Sequence, residues 1–131
     1  MIVFPFAALA TLLAVVLMFG FSVITGRARG KYGVHAPSVT GHEQFERAYR
    51  VQMNTIESVL MMLPALWVYA IFTDDVGAGV IGLVWAIGRL LYARAYLNDP
   101  KKRTLGFAIS TFAMASLWLG GLYGVVMTLV R

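Results

Sequence analysis

Apolar residues gather into four long runs, roughly Ile2 to Ile24, Val51 to Phe72, Val76 to Tyr96 and Leu105 to Val130. Each is long enough to cross ~30 Å of hydrocarbon as a helix, so the pattern predicts an all-α fold, an integral membrane four-helix bundle that takes residues 1–131 as one domain. The connections are short except for Thr25 to Arg50, which leaves no room between the runs for a soluble domain. Polar positions break the pattern at a few places only. Arg50, Asn54 and Glu57 open the second run at spacings of four and three, hence on one helical face. Arg89, Tyr92 and Tyr96 repeat that spacing in the third. Ionisable groups at the margin of a spanning helix are costly unless they face a protein interior or a wet cavity, so these positions mark a site.

Local signals set expected boundaries. Thr40 and Glu43 have the spacing of a capping box, which starts the second helix near Gly41 and lets its end project beyond the lipid. Asn98, Asp99 and Pro100 predict a helix start with Asp99 as cap, placing Arg103 in the first turn of the fourth helix. Pro64 should bend the second span. Gly120 with Gly124, and Ala78 with Gly82, are small pairs suited to close helix packing. The first run lacks a basic leader region and exceeds the apolar core of a secretory signal, so it reads as a retained helix.

Composition strengthens the membrane reading, since 60% of residues are hydrophobic and only 13% charged. The formal net charge of +5 is a topology signal. Arg27, Arg29, Lys31, Arg47 and Arg50 flank the first connection and Arg94, Lys101, Lys102 and Arg103 the third, whereas the second holds Asp74 and Asp75. The positive-inside rule puts the two basic connections in the cytoplasm and both termini on the opposite side. These charges lie in short loops without interleaved aromatics, so no nucleic-acid partner is expected. The chain has no cysteine, so any thiol chemistry uses a thiol supplied by the substrate. His35 and His42 lack a metal-ligand spacing, and no metal is expected.

If the second and third helices are neighbours, Arg89 can pair with Glu57 inside the bundle. That pair reads equally as helix glue or as part of a ligand site. Arg50, Asn54, Tyr92, Tyr96 and Arg103 together favour a ligand, because one buried pair does not require so many donors at one depth.

The stretch Phe45-Glu46-Arg47-Ala48-Tyr49-Arg50-Val51-Gln52-Met53-Asn54-Thr55-Ile56-Glu57 resembles the signature of the MAPEG family, the membrane-associated proteins of eicosanoid and glutathione metabolism. Gly88-Arg89-Leu90-Leu91-Tyr92-Ala93-Arg94-Ala95-Tyr96 resembles the family's third-helix pattern, and Arg103 follows seven residues later. The resemblance implies a homotrimer with glutathione bound near the cytosolic face between subunits. It implies glutathione contacts from Arg50, Asn54, Glu57, Arg89, Tyr92 and Tyr96, from Gln52 on another face of its helix, and from Arg27, with Arg29 as the alternative. Gln52 and Arg50 point about 200° apart on one helix, so both touch ligand only if sites lie at subunit boundaries.

The resemblance gives Arg103 the catalytic role of stabilising the glutathione thiolate. A free thiol has a pKa of ~8.5, and lowering it by about two units takes ~2.7 kcal/mol of differential stabilisation, within reach of one partly desolvated guanidinium. Spacing alone reads Arg103 as a topology charge beside Lys101 and Lys102. One departure is Ser58, where leukotriene-synthase-type members have a tyrosine directly after the motif glutamate; it argues against leukotriene synthesis. The expected function is a membrane-bound glutathione transferase, with glutathione as co-substrate, conjugating lipophilic electrophiles from the bilayer or reducing lipid hydroperoxides. A non-catalytic lipid-binding or scaffold protein of the same fold is the alternative, and a small transporter ranks third because the charges gather towards one end rather than at the midplane.

Overall fold

The computed structural model describes residues 3–131, so the expected span start at Ile2 lies outside the described residues. Four helices follow in order, α1 (Pro5–Tyr32), α2 (Glu43–Phe72), α3 (Asp75–Asn98) and α4 (Thr104–Leu129), with a short 3-10 turn at Pro100–Lys102 before α4. All four are long and apolar enough to span a membrane. Even the 24 residues of α3 reach about 36 Å at the α-helical rise.

The connections bring the C-terminal ends of α1 and α3 to the same end of the bundle as the N-terminal ends of α2 and α4. The basic residues other than Arg131 gather towards that end. At the opposite end, Asp75 accepts from the backbone N–H groups of Phe6 (3.1 Å) and Ala7 (2.9 Å), so an acid on α3 satisfies the first turn of α1. Asp74 caps α3 itself.

Three boundaries differ from the sequence expectation. α1 continues to Tyr32, carrying Arg27, Arg29 and Lys31 on helix rather than in a loop; Gly33, with φ of 68°, ends it. Hydropathy marks where lipid ends, whereas a helix rich in basic residues near its C-terminus can continue into water. At α2 the cap lies two residues later than the Thr40 box: His42 Nδ1 accepts from the Gln44 N–H (3.2 Å), and Glu46 accepts from the Gly41 N–H (3.2 Å). Asp99 caps the 3-10 turn rather than α4, and Arg103 is the residue from which α4 starts. α2 remains one helical segment through Pro64.

Small residues set the helix spacing. A Cβ on Gly106 would lie 2.2 Å from the Tyr92 backbone N, and one on Gly88 2.6 Å from the Ser110 N, so α3 and α4 touch backbone to backbone there. Gly82 meets Ala10 across the α1–α3 contact, beside buried Ala78. Gly120 and Gly124 receive Tyr69 and the Phe72–Thr73 end of α2, and the Thr73 hydroxyl donates to the Gly120 carbonyl (2.8 Å). Phe45, Met62, Leu66, Trp85 and Leu117 fill the interior, while Leu12, Phe19, Leu60, Phe112 and Leu119 face outward. So large an apolar exterior fits helices whose outer solvent is lipid.

Candidate functional site

Two turns of α2 carry the first wall of the site. Arg50 and Glu57 meet through Nη1–Oε1 (3.3 Å) and Nη2–Oε2 (3.5 Å), and the Asn54 amide nitrogen donates to Glu57 Oε2 (3.5 Å). Both members of the ion pair are half-exposed, so it fixes orientation more than it adds stability.

Arg89 takes a different partner set from the one expected. It does not pair with Glu57; its Nη2 donates to Asn54 Oδ1 (2.7 Å) and Thr55 Oγ1 (3.3 Å), and its Nη1 to Ser110 Oγ (3.3 Å). Shared helical faces place residues at the same depth, but the rotation of α3 against α2 selects the contact, and Arg50 already covers Glu57. Arg89 as a residue is 1% exposed; its guanidinium carbon lies 4.1 Å from the Tyr92 ring centroid, and its buried Nε has no hydrogen-bond partner in the structure. By accepting from Arg89, the Asn54 carbonyl oxygen is turned inward and its NH₂ outward.

Above this layer lies a cavity of about 180 Å³ lined by Arg50, Asn54, Tyr92, Tyr96, Arg103 and Phe107. The tyrosine rings are 5.4 Å apart, and the Tyr92 ring is 6.4 Å from Phe107. Arg103 lies with its guanidinium carbon 6.0 Å from the Tyr96 ring and donates to the Pro100 carbonyl (3.1 Å). Five residues singled out from sequence thus meet around one space. Phe107 was not foreseen, although its place one turn after Arg103 puts it on the same face of α4. Thr55 and Ser110, the buried hydroxyls that accept from Arg89, were also missed.

Other expected contacts fall elsewhere in the chain. Gln52 is half-buried, Arg27 is exposed on α1, and neither lines the cavity. Arg29 donates to the carbonyls of Val34 (3.2 Å) and Ser38 (2.7 Å) and stacks on Phe45. Ser58 faces α3, where its hydroxyl accepts from the Trp85 indole N–H (2.9 Å). Among the described residues, no three His, Asp or Glu side chains gather as a metal site.

The face of α2 that bears Arg50, Asn54 and Glu57 continues as Met61, Pro64 and Val68, again at spacings of four and three. With Leu117 and Trp118 of α4 these form an apolar groove of about 270 Å³. The polar cavity and the groove therefore share one helix face.

Comparison with known proteins agrees with the sequence signature. Residues 7–123 match the model of the MAPEG family. An uncharacterized protein of Synechocystis sp. is 44% identical over 119 residues, covering 91% of this chain and 87% of that protein. Microsomal glutathione S-transferase 2 of Homo sapiens is 39% identical over 105 residues, covering 80% and 71%. Leukotriene C4 synthase of Bos taurus is 38% identical over 112 residues, covering 86% and 73%. With the family signature matched across most of its length on a scaffold of four membrane-spanning helices, the chain belongs to the MAPEG family.

Proposed function

We propose that this protein is a membrane-bound glutathione transferase that activates the glutathione thiolate for attack on lipophilic electrophiles. The observation that carries the reading is the convergence of Arg50, Asn54, Tyr92, Tyr96 and Arg103 on one cavity in a chain related to microsomal glutathione S-transferase 2. Glutathione offers two carboxylates, an ammonium group and a thiol. Arg50 suits a carboxylate, Glu57 the ammonium group, and the outward amide of Asn54 a carboxylate or carbonyl oxygen. Arg103 suits the sulfur, since its guanidinium is beside the cavity and its main chain leads into the positive end of α4. Arg89 acts from behind, holding Asn54 and Tyr92 in position.

A cavity of about 180 Å³ is small against the ~300 Å³ at the lower end of ordinary ligand pockets. That supports a homotrimer in which glutathione bridges subunits, with Gln52 and Arg27 contributed by a neighbour. Arg27 is the better candidate than Arg29, whose guanidinium is already committed to loop carbonyls and Phe45. The basic end of the bundle would face the cytoplasm, and glutathione would enter there. The lipophilic acceptor would arrive along the groove at Met61, Pro64 and Trp118.

In conjugation, the thiolate sulfur forms a bond to the electrophilic carbon, whose leaving group departs with its electron pair; the thiol proton has already passed to solvent. In peroxide reduction, a second chemistry open to the same thiolate, sulfur attacks the peroxide oxygen and expels an alkoxide that takes up a proton. A second glutathione then resolves the sulfenic acid to disulfide and water.

The test is steady-state turnover of purified protein with glutathione and an activated chloronitrobenzene. Saturable conjugation is expected, with Arg103→Ala lowering kcat at least about tenfold, equivalent to ~1.4 kcal/mol, and changing the KM for glutathione less. Bound glutathione with no turnover on any electrophile would favour the non-catalytic reading; no glutathione binding at all would remove the proposal.

A further inference from the structure

A second concavity, part polar and part apolar, opens on the far side of α3 from the glutathione candidate. Leu91, Arg94 and Asn98 follow one another at intervals of three and four along α3, roughly 150° round the helix from Tyr92 and Tyr96. With Lys102, Leu105 and Gly106 they line a cleft of about 390 Å³, more than twice the 180 Å³ of the polar cavity. Its residues are not shared with that cavity.

The charge arrangement selects an anion. Among the described residues the ion pairs join Arg47 to Glu43 and Arg50 to Glu57, so neither Arg94 nor Lys102 is matched by a carboxylate. The nearby acid, Asp99, accepts from the Lys101 backbone N–H (3.1 Å) as the cap of the 3-10 turn. The C-terminal end of α3, whose carbonyls would repel an anion, is covered by Arg47, which donates to the carbonyls of Leu97 (3.3 Å) and Asn98 (2.8 Å).

The surroundings select a lipid rather than a soluble anion. Below the two cations, Val84, Ile87 and Leu91 form an exposed apolar stripe at spacings of three and four on α3, while Leu105 is exposed on α4. Cations at the end of a spanning helix with an apolar track running away from them match the two parts of a phospholipid. We propose that the cleft between the end of α3 and the start of α4 binds the headgroup of an anionic phospholipid, with Arg94 and Lys102 on the phosphate and an acyl chain along Val84, Ile87 and Leu91. The site is independent of the glutathione reading and requires only that the helices span a membrane.

The experiment reconstitutes the full chain in phosphatidylcholine vesicles with trace spin-labelled phosphatidylglycerol or phosphatidylcholine and measures the motionally restricted fraction of each. Wild type is expected to prefer phosphatidylglycerol about fivefold, the effect of roughly one cation at a membrane surface. The double variant Arg94→Gln/Lys102→Gln should fall to parity, and Arg94→Lys/Lys102→Arg should keep the preference. Lys31→Gln/Lys101→Gln, which removes the same charge outside the cleft, should also keep it. Equal loss in both neutralised pairs would reduce the effect to diffuse attraction and overturn the site. Parity in wild type would do the same, and displacement of the labelled lipid by inorganic phosphate at constant ionic strength would assign the cleft to a soluble anion instead.

Discussion

Arg50 and Arg89 carry the same guanidinium into opposite surroundings, and their substitutions should separate binding from folding. Arg50 is half-exposed and pairs with Glu57, so Arg50→Ala should change stability by less than about 1 kcal/mol. Under the proposed role it should weaken glutathione binding about tenfold, or ~1.4 kcal/mol, as read by a glutathione titration. Arg89→Met instead strips the buried acceptors of Asn54, Thr55 and Ser110 of their donor, with an expected loss of about 1–3 kcal/mol in thermal unfolding in detergent. Sequence spacing identified both arginines but not this division. It gives the face on which a side chain lies, whereas the partner depends on how α3 is rotated against α2 and α4. For the same reason the expected Arg89–Glu57 pair is replaced by an arginine on neutral oxygens. Phe107 went unseen because one aromatic on a continuously apolar helix carries no contrast with its neighbours.

At the scale of elements, the site depends on how closely α3 and α4 approach. Gly106 is where their backbones touch, three residues after Arg103 and one before Phe107. Gly106→Ala puts a methyl group against the Tyr92 main chain, so α4 must shift and take two cavity walls with it. The expected cost is about 1–3 kcal/mol of stability, with turnover falling further than glutathione affinity. Gly20→Ala, where an added Cβ meets nothing within 4 Å, should be neutral or stabilise by up to about 1 kcal/mol of helix propensity. At the opposite end, Asp75→Asn removes the charge that two α1 N–H groups approach and should lower stability by about 1 kcal/mol without altering glutathione binding. The existence of all four helices was legible because twenty or more apolar residues leave few alternatives. Their ends were less so: α1 runs past Ile24 because basic residues stop a hydropathy run without stopping a helix.

For the whole molecule, exposed apolar helices between a basic end and an acidic end describe a protein built for a bilayer, and that much the sequence pattern carried. The polar cavity gathers five of the expected residues but leaves Gln52 and Arg27 away from its lining, which is intelligible if, as proposed, a neighbouring copy of the chain completes the site. The proposed trimer should appear as a three-subunit mass in native mass spectrometry, and Arg27→Ala should weaken glutathione binding without changing that mass. Spacing along one chain puts Gln52 on a helical face away from Arg50, but it does not say what that face meets. The central claim is thiolate activation at Arg103, and ultraviolet difference absorbance of bound glutathione tests it directly. At neutral pH wild type should develop the thiolate band on binding, while Arg103→Ala should bind glutathione yet form thiolate only as pH rises towards the ~8.5 of the free thiol. Glutathione that binds wild type and stays protonated, or forms the same thiolate in the variant, would contradict the account.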